Sequence, residues 1–382
     1  MDIRKCPLKV LGPHGDESDV QALREVIESG WWGKGPKVEE FEHDFAKMVG
    51  SKHAIAVTSN SHGQDLIMKA MGFNGIDVIN PTISFVATAE IPLWNNCTSN
   101  IVDVDPINMN ITAEEVDKWK TQDTELVIAV NMAGVPAPIE EIRKVYGGFI
   151  IEDCAHSCYT PGAGMLGDVA VWSFQAVKTM PIGDGGMITL NDDALAKKMR
   201  EMLWFGVTST WSRSADSTGT RPGYAWDYNV DKLGYKYYMT DLYAALGLSQ
   251  MKKLPRFLDT RRHIQERYNS ELNSTIQKPP YSDTVQYYCM KLEDKRNYAP
   301  DASGYSGKSR DDLIGYLADK KIHTSVHFKP LHQYDLLKMD REFPVADAEW
   351  VKLISLPCHN GMTDDDIDYV IYWVNKFIEE EY

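Results

Sequence analysis

Residues 169–190 read VAVWSFQAVKTMPIGDGGMITL. Val169–Phe174 and Met187–Leu190 are short apolar runs with β-branched and aromatic residues, the pattern of buried strands. Between them lie Lys178 and a turn, Gly183-Asp184-Gly185-Gly186, whose three glycines allow positive φ and close backbone approach.

The same short apolar runs recur upstream. His53–Thr58, Asp77–Ile79, Asn100–Val104, Leu126–Asn131 and Phe149–Glu152 read as strands. Helical patterns separate them: Val20, Leu23, Val26 and Ile27 share one face of residues 16–29, and Gln64–Met71 follows the first strand. Strand–helix alternation predicts an α/β architecture, a mainly parallel central sheet with helices on both faces. Downstream, Thr208–Tyr224 is rich in Ser, Thr and Gly and reads as a long surface loop. Thr240–Leu254 reads as a helix, and Pro255–Leu272 as a connecting helix. The remainder is a smaller α+β unit, closed by an amphipathic helix carrying Ile367, Val370, Ile371, Val374, Phe377 and Ile378. The expected division is a large domain over residues 1–255 and a small C-terminal domain over 256–382. Two or three domains is the expectation at about 150 residues each.

Composition narrows the partners. The 382 residues are 43% apolar and 25% charged, which excludes wholly disordered, collagen-like and coiled-coil readings. Fifty-five acidic against 40 basic side chains leave a net charge of −15, which repels phosphate backbones and anionic lipids. Neither nucleic acid nor a membrane is therefore an expected partner, while a local basic pocket for a small anion is still allowed. The longest apolar stretch, Leu126–Pro138, is interrupted by Asn131 and Gly134 and falls short of the roughly 18 residues of a membrane span. Six cysteines without a CxxC pair read as reduced thiols. Met1–Lys5 leads into no apolar secretory core, and the expected location is cytoplasmic.

Four features sit at strand ends, where open α/β sheets bind ligands. Ser59-Asn60-Ser61 lies between a strand and a helix; small polar residues there cap the helix and leave N–H groups facing outward for a phosphate. Asp153 ends the run Phe149–Glu152, where a carboxylate caps a neighbouring helix or meets a cationic ligand atom. Lys178 has few charges near it in sequence, and burial would lower its pKa and free the amine for Schiff-base chemistry. The glycine turn is the fourth. Taken singly, each has a plainer reading: an N-cap, a capping aspartate, a surface lysine, a common turn. Together and in this order they are the parts needed to hold pyridoxal phosphate.

The chain resembles the DegT/DnrJ/EryC1/StrS family of pyridoxal-phosphate-dependent sugar aminotransferases. The matching segments are GWWGKGPKVEEFEHDF (30–45), PTISFVATA (81–89), Asp103-Val104-Asp105, IEDCAH (151–156), SFQAVKTMPIGDGG (173–186), GYKYYMTDLYAALGLSQ (234–250), VHFKPLH (326–332) and Ser355-Leu356-Pro357. They span nearly the whole chain. The resemblance implies a fold-type I, aspartate-aminotransferase-like subunit working as a homodimer with shared active sites. It makes Lys178 the Schiff-base lysine and Asp153 the partner of the pyridinium nitrogen. His156 falls near the ring and its hydroxyl, and Phe85 stacks on the ring. Asn60, Ser61 and Ser173 match phosphate-cradling positions, and Lys236 matches the position that reaches the phosphate from the partner subunit. Many relatives carry Gly at the Asn60 position, Glu at Asp184 and Asn at Lys236. Relatives with His in place of Lys178 act as dehydratases, so Lys178 implies amino transfer.

The implied reaction takes an amino group from glutamate to C4 of a nucleotide-linked 4-keto-6-deoxy hexose, cycling the cofactor between its PLP and PMP forms. A C3-keto sugar or a keto-cyclitol is the alternative substrate. Trp211, Arg213, Arg221 and Trp226 are candidate substrate contacts, since arginine suits a diphosphate and tryptophan suits stacking; a solvated loop is the competing reading. His327 is a further substrate candidate. A reading from a different class is a non-catalytic PLP- or metal-binding regulatory protein, because Cys154, His156 and Cys158 alternate and His323, His327 and His332 lie close in sequence. The Cys-x-His-x-Cys run lacks a fourth partner at usual spacing, so no metal is expected.

Overall fold

A computed structural model describes residues 1–207, 228–295, 308–380 and 382. The central sheet is built from β1 (His53–Val57), β2 (Asp77–Pro81), β3 (Thr98–Val102), β4 (Thr124–Val130), β5 (Phe149–Asp153), β6 (Val169–Ser173) and β7 (Gly186–Leu190). Their order is β1-β7-β6-β5-β4-β2-β3. β7 is antiparallel to β1 and β6, and the other neighbours pair in parallel. The helices of this part are α1 (Glu17–Ser29), α2 (Pro36–Val49), α3 (Asn60–Met71), α4 (Ala87–Trp94), α5 (Ala113–Trp119), α6 (Ile139–Val145) and α7 (Asp193–Met202). A long helix, α8 (Asp241–Glu271), leads to β8 (Tyr288–Lys291), α9 (Arg310–Asp319), α10 (Pro344–Trp350), β9 (Leu353–Leu356) and α11 (Asp364–Glu380).

The strands read as unbroken apolar runs because helices cover both faces of the sheet. In β4, Leu126, Ile128 and Val130 join one apolar layer, with Leu66 and Met68 of α3 and Met199 of α7. Val127 and Ala129 join another, with Val116 of α5 and Ile142 of α6. In β1 the same alternation puts Ile55 and Val57 on the α3 side and Ala54 and Ala56 against Phe41 and Phe45 of α2.

Three sequence expectations need correction. The face of α1 is only partly apolar: Val26 is buried, but Val20 and Ile27 are 48% and 55% exposed. Asp19 is buried in their stead, receiving hydrogen bonds from Ser249 Oγ at 2.7 Å and Lys253 Nζ at 2.6 Å. A polar contact with α8, and not an apolar stripe, seats α1. Second, α3 begins at Asn60 rather than Gln64, because the Ser59 side chain accepts the His62 N–H and starts the helix a turn earlier. Third, the two helices expected to meet at residue 255 are one continuous α8. Leu254 and Leu258 pack under the sheet, whereas Ile264 and Tyr268 pack with β8, β9 and α11. The expected boundary thus falls inside a shared helix. Leu8, from the opposite end of the chain, also joins the C-terminal cluster.

Two glycines set where α3 starts. A Cβ on Gly63 would lie 2.8 Å from Val171 Cγ1, and one on Gly186 would lie 2.6 Å from the Asn60 backbone nitrogen. The first turn of α3 therefore lies directly on β6 and β7. Gly186→Ala or Gly63→Ala should lose about 1–3 kcal/mol in chemical denaturation through overpacking. Gly315→Ala, on α9 with nothing within 4 Å of the new Cβ, should be neutral or gain up to about 1 kcal/mol. Equal effects at the three positions would refute the close-approach account.

Candidate active site

A cavity of about 520 Å³ opens at the carboxyl ends of β5 and β6 and the N-terminus of α3. Lys178, Asp153, His156, Phe85, Asn60, Ser61, Ser173 and His327 all line it. Eight positions scattered between Asn60 and His327 thus meet in one place.

Asp153 ends β5 and is 5% exposed. Its Oδ1 accepts from Asn60 Nδ2 and from the Ala155 N–H, both at 3.0 Å, and its Oδ2 accepts from Gln64 Nε2 at 2.9 Å. Burial pushes its pKa up, while the Ala155 N–H, the Lys178 charge and the two amides pull the other way. These amide donors are neutral, so a cationic ring nitrogen is the kind of partner that would complete the carboxylate's electrostatics. Gln64 is a site residue that sequence reasoning missed. Its signal was present, since Asn60 and Gln64 stand four apart on one helix face.

Asn60 was expected at the phosphate, but its side chain turns to the sheet, donating to Asp153 and to the Val171 carbonyl at 3.1 Å. What remains for an anion at α3 is backbone. The His62 N–H goes to Ser59 Oγ and the Gly63 N–H to the Ser59 carbonyl. Helix geometry gives the Asn60 and Ser61 N–H groups no intrahelical acceptor. With the Ser61 and Ser173 hydroxyls beside them, they fit a phosphate at the positive end of the helix dipole.

Lys178 is half-buried in the loop between β6 and β7. That loop folds on itself: the Lys178 N–H donates to the Gln175 carbonyl at 2.8 Å, and the Ala176 N–H to the Gly183 carbonyl at 2.9 Å. Gly183 carries a φ of 98°, which favours glycine. Burial lowers the Lys178 pKa from 10.5 to about 8, with Asp153 acting against it. A far larger fraction of the amine is therefore free near neutrality than in an ordinary lysine, and the free amine is the form that adds to a carbonyl.

The far wall is aromatic. His156 is buried, stacks on Phe328 at 6.0 Å between centroids and meets the Tyr287 edge at 4.9 Å. Its Nδ1 is buried without a hydrogen-bond partner among the described residues, a vacancy that a hydroxyl-bearing ring would fill. His327 stacks on Tyr287 at 3.8 Å and has Nδ1 2.8 Å from Ser355 Oγ. Burial first, then the Lys178 charge, holds His156 well below its usual range and His327 at about 3, so both are neutral. Phe85 is 59% exposed at the mouth, positioned to cover a flat ring. Tyr287 had no distinguishing sequence pattern, and Phe328, although inside the matched segment VHFKPLH (326–332), was not singled out.

Lys236 lies elsewhere. It is exposed, pairs by backbone with Trp204 and holds Nζ 5.8 Å from the Trp204 ring, and it does not line the cavity of its own chain. Trp211, Arg213, Arg221 and Trp226 lie outside the described residues. The histidines considered for metal disperse: His332 sits between Thr82 Oγ1 and Asp347, and His323 is on the surface. Among the described residues no three His, Cys, Asp or Glu side chains are arranged to hold a metal ion.

The carboxylate, amine, anion seat and unpartnered imidazole nitrogen together fit pyridoxal phosphate, and comparison with known proteins agrees. The model of the DegT/DnrJ/EryC1/StrS aminotransferase family matches residues 13–375. The chain is 33% identical over 384 residues to the spore coat polysaccharide biosynthesis protein SpsC of Bacillus subtilis, covering 95% of each chain. The aminotransferase TlmJ from Streptoalloteichus hindustanus shares its fold with a TM-score of 0.87 and 28% identity, over 98% of this chain and 99% of that one. Spr1654 of Streptococcus pneumoniae, solved in its PMP form, matches in fold with a TM-score of 0.87 at 23% identity, over 98% and 100% of the two chains. The chain belongs to the DegT/DnrJ/EryC1/StrS aminotransferase family, a fold-type I enzyme whose cofactor is pyridoxal phosphate.

Proposed function

We propose that this aminotransferase moves an amino group from glutamate to C4 of a nucleotide-linked 4-keto-6-deoxy hexose, for amino-sugar and glycan biosynthesis. The observation that carries amino transfer is one cavity joining a half-buried lysine to a buried carboxylate and a helix N-terminus. A sugar substrate is supported by the family resemblance and by the polysaccharide pathway in the name of the Bacillus subtilis relative. We place the enzyme in the cytoplasm; its six cysteines are free, and no described helix is long and apolar enough to cross a membrane.

Pyridoxal phosphate supplies an aldehyde carbon and an electron-accepting ring when bound. In this reading the Asp153 carboxylate keeps a proton on the ring nitrogen, and its amide donors keep the carboxylate oriented. Nζ of Lys178 takes the proton from the donor's α-carbon and delivers one to the acceptor sugar's carbon. His156 Nδ1 bonds the ring hydroxyl, and Phe85 covers the ring and excludes water. The Ser61 and Ser173 hydroxyls and the α3 N–H groups seat the phosphate. His327, in the cavity wall, faces the nucleotide sugar. The working unit is a homodimer in which Lys236 of the partner subunit completes the phosphate site. Trp31, Trp32, Phe85 and Leu233, each more than half exposed in the single chain, supply apolar surface for that contact.

Incubating keto-sugar nucleotides with glutamate and reading the products by mass spectrometry tests the substrate. Amination at C3, or of a keto-cyclitol, would replace the C4 assignment.

The Lys178 pKa sets a pH dependence. Acylation of Lys178 in the apoprotein should rise as pH increases toward about 8 and level off above it. An unfolded lysine titrates near 10.5, so between these values the unfolded chain binds the extra proton. This group's contribution to stability therefore grows with pH across that window. A Lys178 that titrates near 10.5 in the folded apoprotein would contradict the burial argument. Asp153→Ala should lower turnover roughly a hundredfold, since it leaves a buried cationic nitrogen unpaired at a cost of about 3 kcal/mol. Wild-type turnover in that variant would remove Asp153 from the site.

Shared sites are tested by mixing inactive Lys178→Ala and Lys236→Ala proteins under subunit exchange. In a mixed dimer, one site then carries both defects and the other neither, so activity returns. Exchange confirmed by mass without recovered activity would place Lys236 outside its partner's site.

A further inference from the structure

The loop that carries Lys178 is held from the C-terminal part of the chain, and one buried arginine organises the hold. Arg261, on α8, is 0% exposed. Its Nε donates to Asn360 Oδ1 at 2.7 Å, and its Nη1 donates to the carbonyls of Val285, Gln286 and Cys358 at 2.9, 3.3 and 3.1 Å. One guanidinium therefore ties α8 to the segment entering β8 and to the segment leaving β9.

Both segments then reach the lysine loop. Gln286 Oε1 accepts from the Thr179 N–H and from Thr179 Oγ1, both at 3.0 Å, and its Nε2 donates to the Val177 carbonyl at 2.9 Å. Asn360 Nδ2 donates to the Thr179 carbonyl at 3.1 Å. The residues on either side of Lys178 are thus gripped by two buried amides. Arginine also decides which way Asn360 faces. Its Nε–H can only donate, so Asn360 must present Oδ1 to it and turn Nδ2 to Thr179. All four acceptors of Arg261 are neutral, and a buried guanidinium on neutral acceptors is a costly arrangement. Lysine has no flat fork of donors with which to replace it.

We infer that Arg261 is a positioning residue for the reaction: acting through Asn360 and the Val285–Gln286 backbone, it fixes the Val177–Thr179 segment so that Nζ of Lys178 meets the cofactor's aldehyde carbon. The inference rests on Lys178 being the amine that bonds the cofactor. In that bond Nζ adds to the aldehyde carbon, one water leaves, and a carbon–nitrogen double bond remains.

The test uses apoprotein and two probes. Pyridoxal phosphate reports attachment to Lys178, trapped by borohydride and located by peptide mapping. Pyridoxine 5′-phosphate, which has no aldehyde, reports the phosphate and ring pocket alone. The informative variant is Asn360→Asp. It gives Arg261 an acid partner, so folding stability should hold or rise, yet it removes the donor to Thr179. Attachment should slow about tenfold in Asn360→Asp, the effect of one lost buried hydrogen bond, and by at least as much in Gln286→Leu, which loses three to the loop, and in Arg261→Lys. Affinity for pyridoxine 5′-phosphate should stay within about twofold of wild type. If Arg261→Lys fails to fold, the other two variants decide. Unchanged attachment in Asn360→Asp, with the wild-type label on Lys178, sinks the inference and leaves the lysine assignment standing. Parallel loss of both probes would make the network merely structural. A wild-type label on another lysine would overturn the assignment and the inference together.

Discussion

A carboxylate taken out of water at the end of a buried strand must be met by donors, and Asp153 is met by Asn60 and Gln64 of α3 and by the Ala155 N–H. Much of the cavity follows from that demand. Both amides come from one face of α3, a turn apart, so the helix has to lie with its first turn on β6 and β7, beside the end of β5. That approach leaves no room for side chains at Gly63 or Gly186. It also brings a helix N-terminus to the strand ends, where its backbone N–H groups face the opening. The acid's hydrogen bonds and the anion seat are consequences of one helix placement.

The second half of the cavity is built by different parts of the chain. The sheet and α3 supply the carboxylate and the anion seat, whereas the segments around β8 and β9 supply Tyr287, His327 and Phe328 and clamp the lysine loop. α8 contributes to both cores, with Leu254 and Leu258 in one and Ile264 and Tyr268 in the other. A rigid helix shared by two cores fixes the distance between the two walls of the site. The two histidines in the wall are held neutral by burial, while burial moves Lys178 down and Asp153 up from their ordinary pKa values.

Local chemistry made much of this legible from the amino-acid sequence. Short apolar, β-branched runs located every strand of the central sheet to within about two residues, since a strand buried on both faces has to be apolar throughout. Lys178, Asp153 and the Ser59–Ser61 cap stood at or just beyond strand ends, and it was their combination and order, not any one of them, that pointed to a cofactor. Gln286, Asn360 and Arg261 did not. Each is one polar residue among many: Gln286 and Asn360 take their meaning from meeting a loop 107 and 181 residues away, and Arg261 from meeting those two. The apolar spacing of α1 suggested a buried face, yet Asp19 is buried and Val20 is exposed, because a polar contact with Ser249 and Lys253 decides which side turns inward.

What the sequence by itself determined is the class of fold, the family, and which polar residues stand at the strand ends: these depend on residue type and on spacing along the chain. Tertiary structure decided which way each group points. It turned the Asn60 amide from the expected phosphate to Asp153, joined two expected helices into one across Pro255, and kept Lys236 out of its own chain's cavity. The physical reason is common to all three. Side-chain direction and helix continuity are settled by contacts between segments far apart in sequence, and no local pattern encodes a partner that only folding brings near.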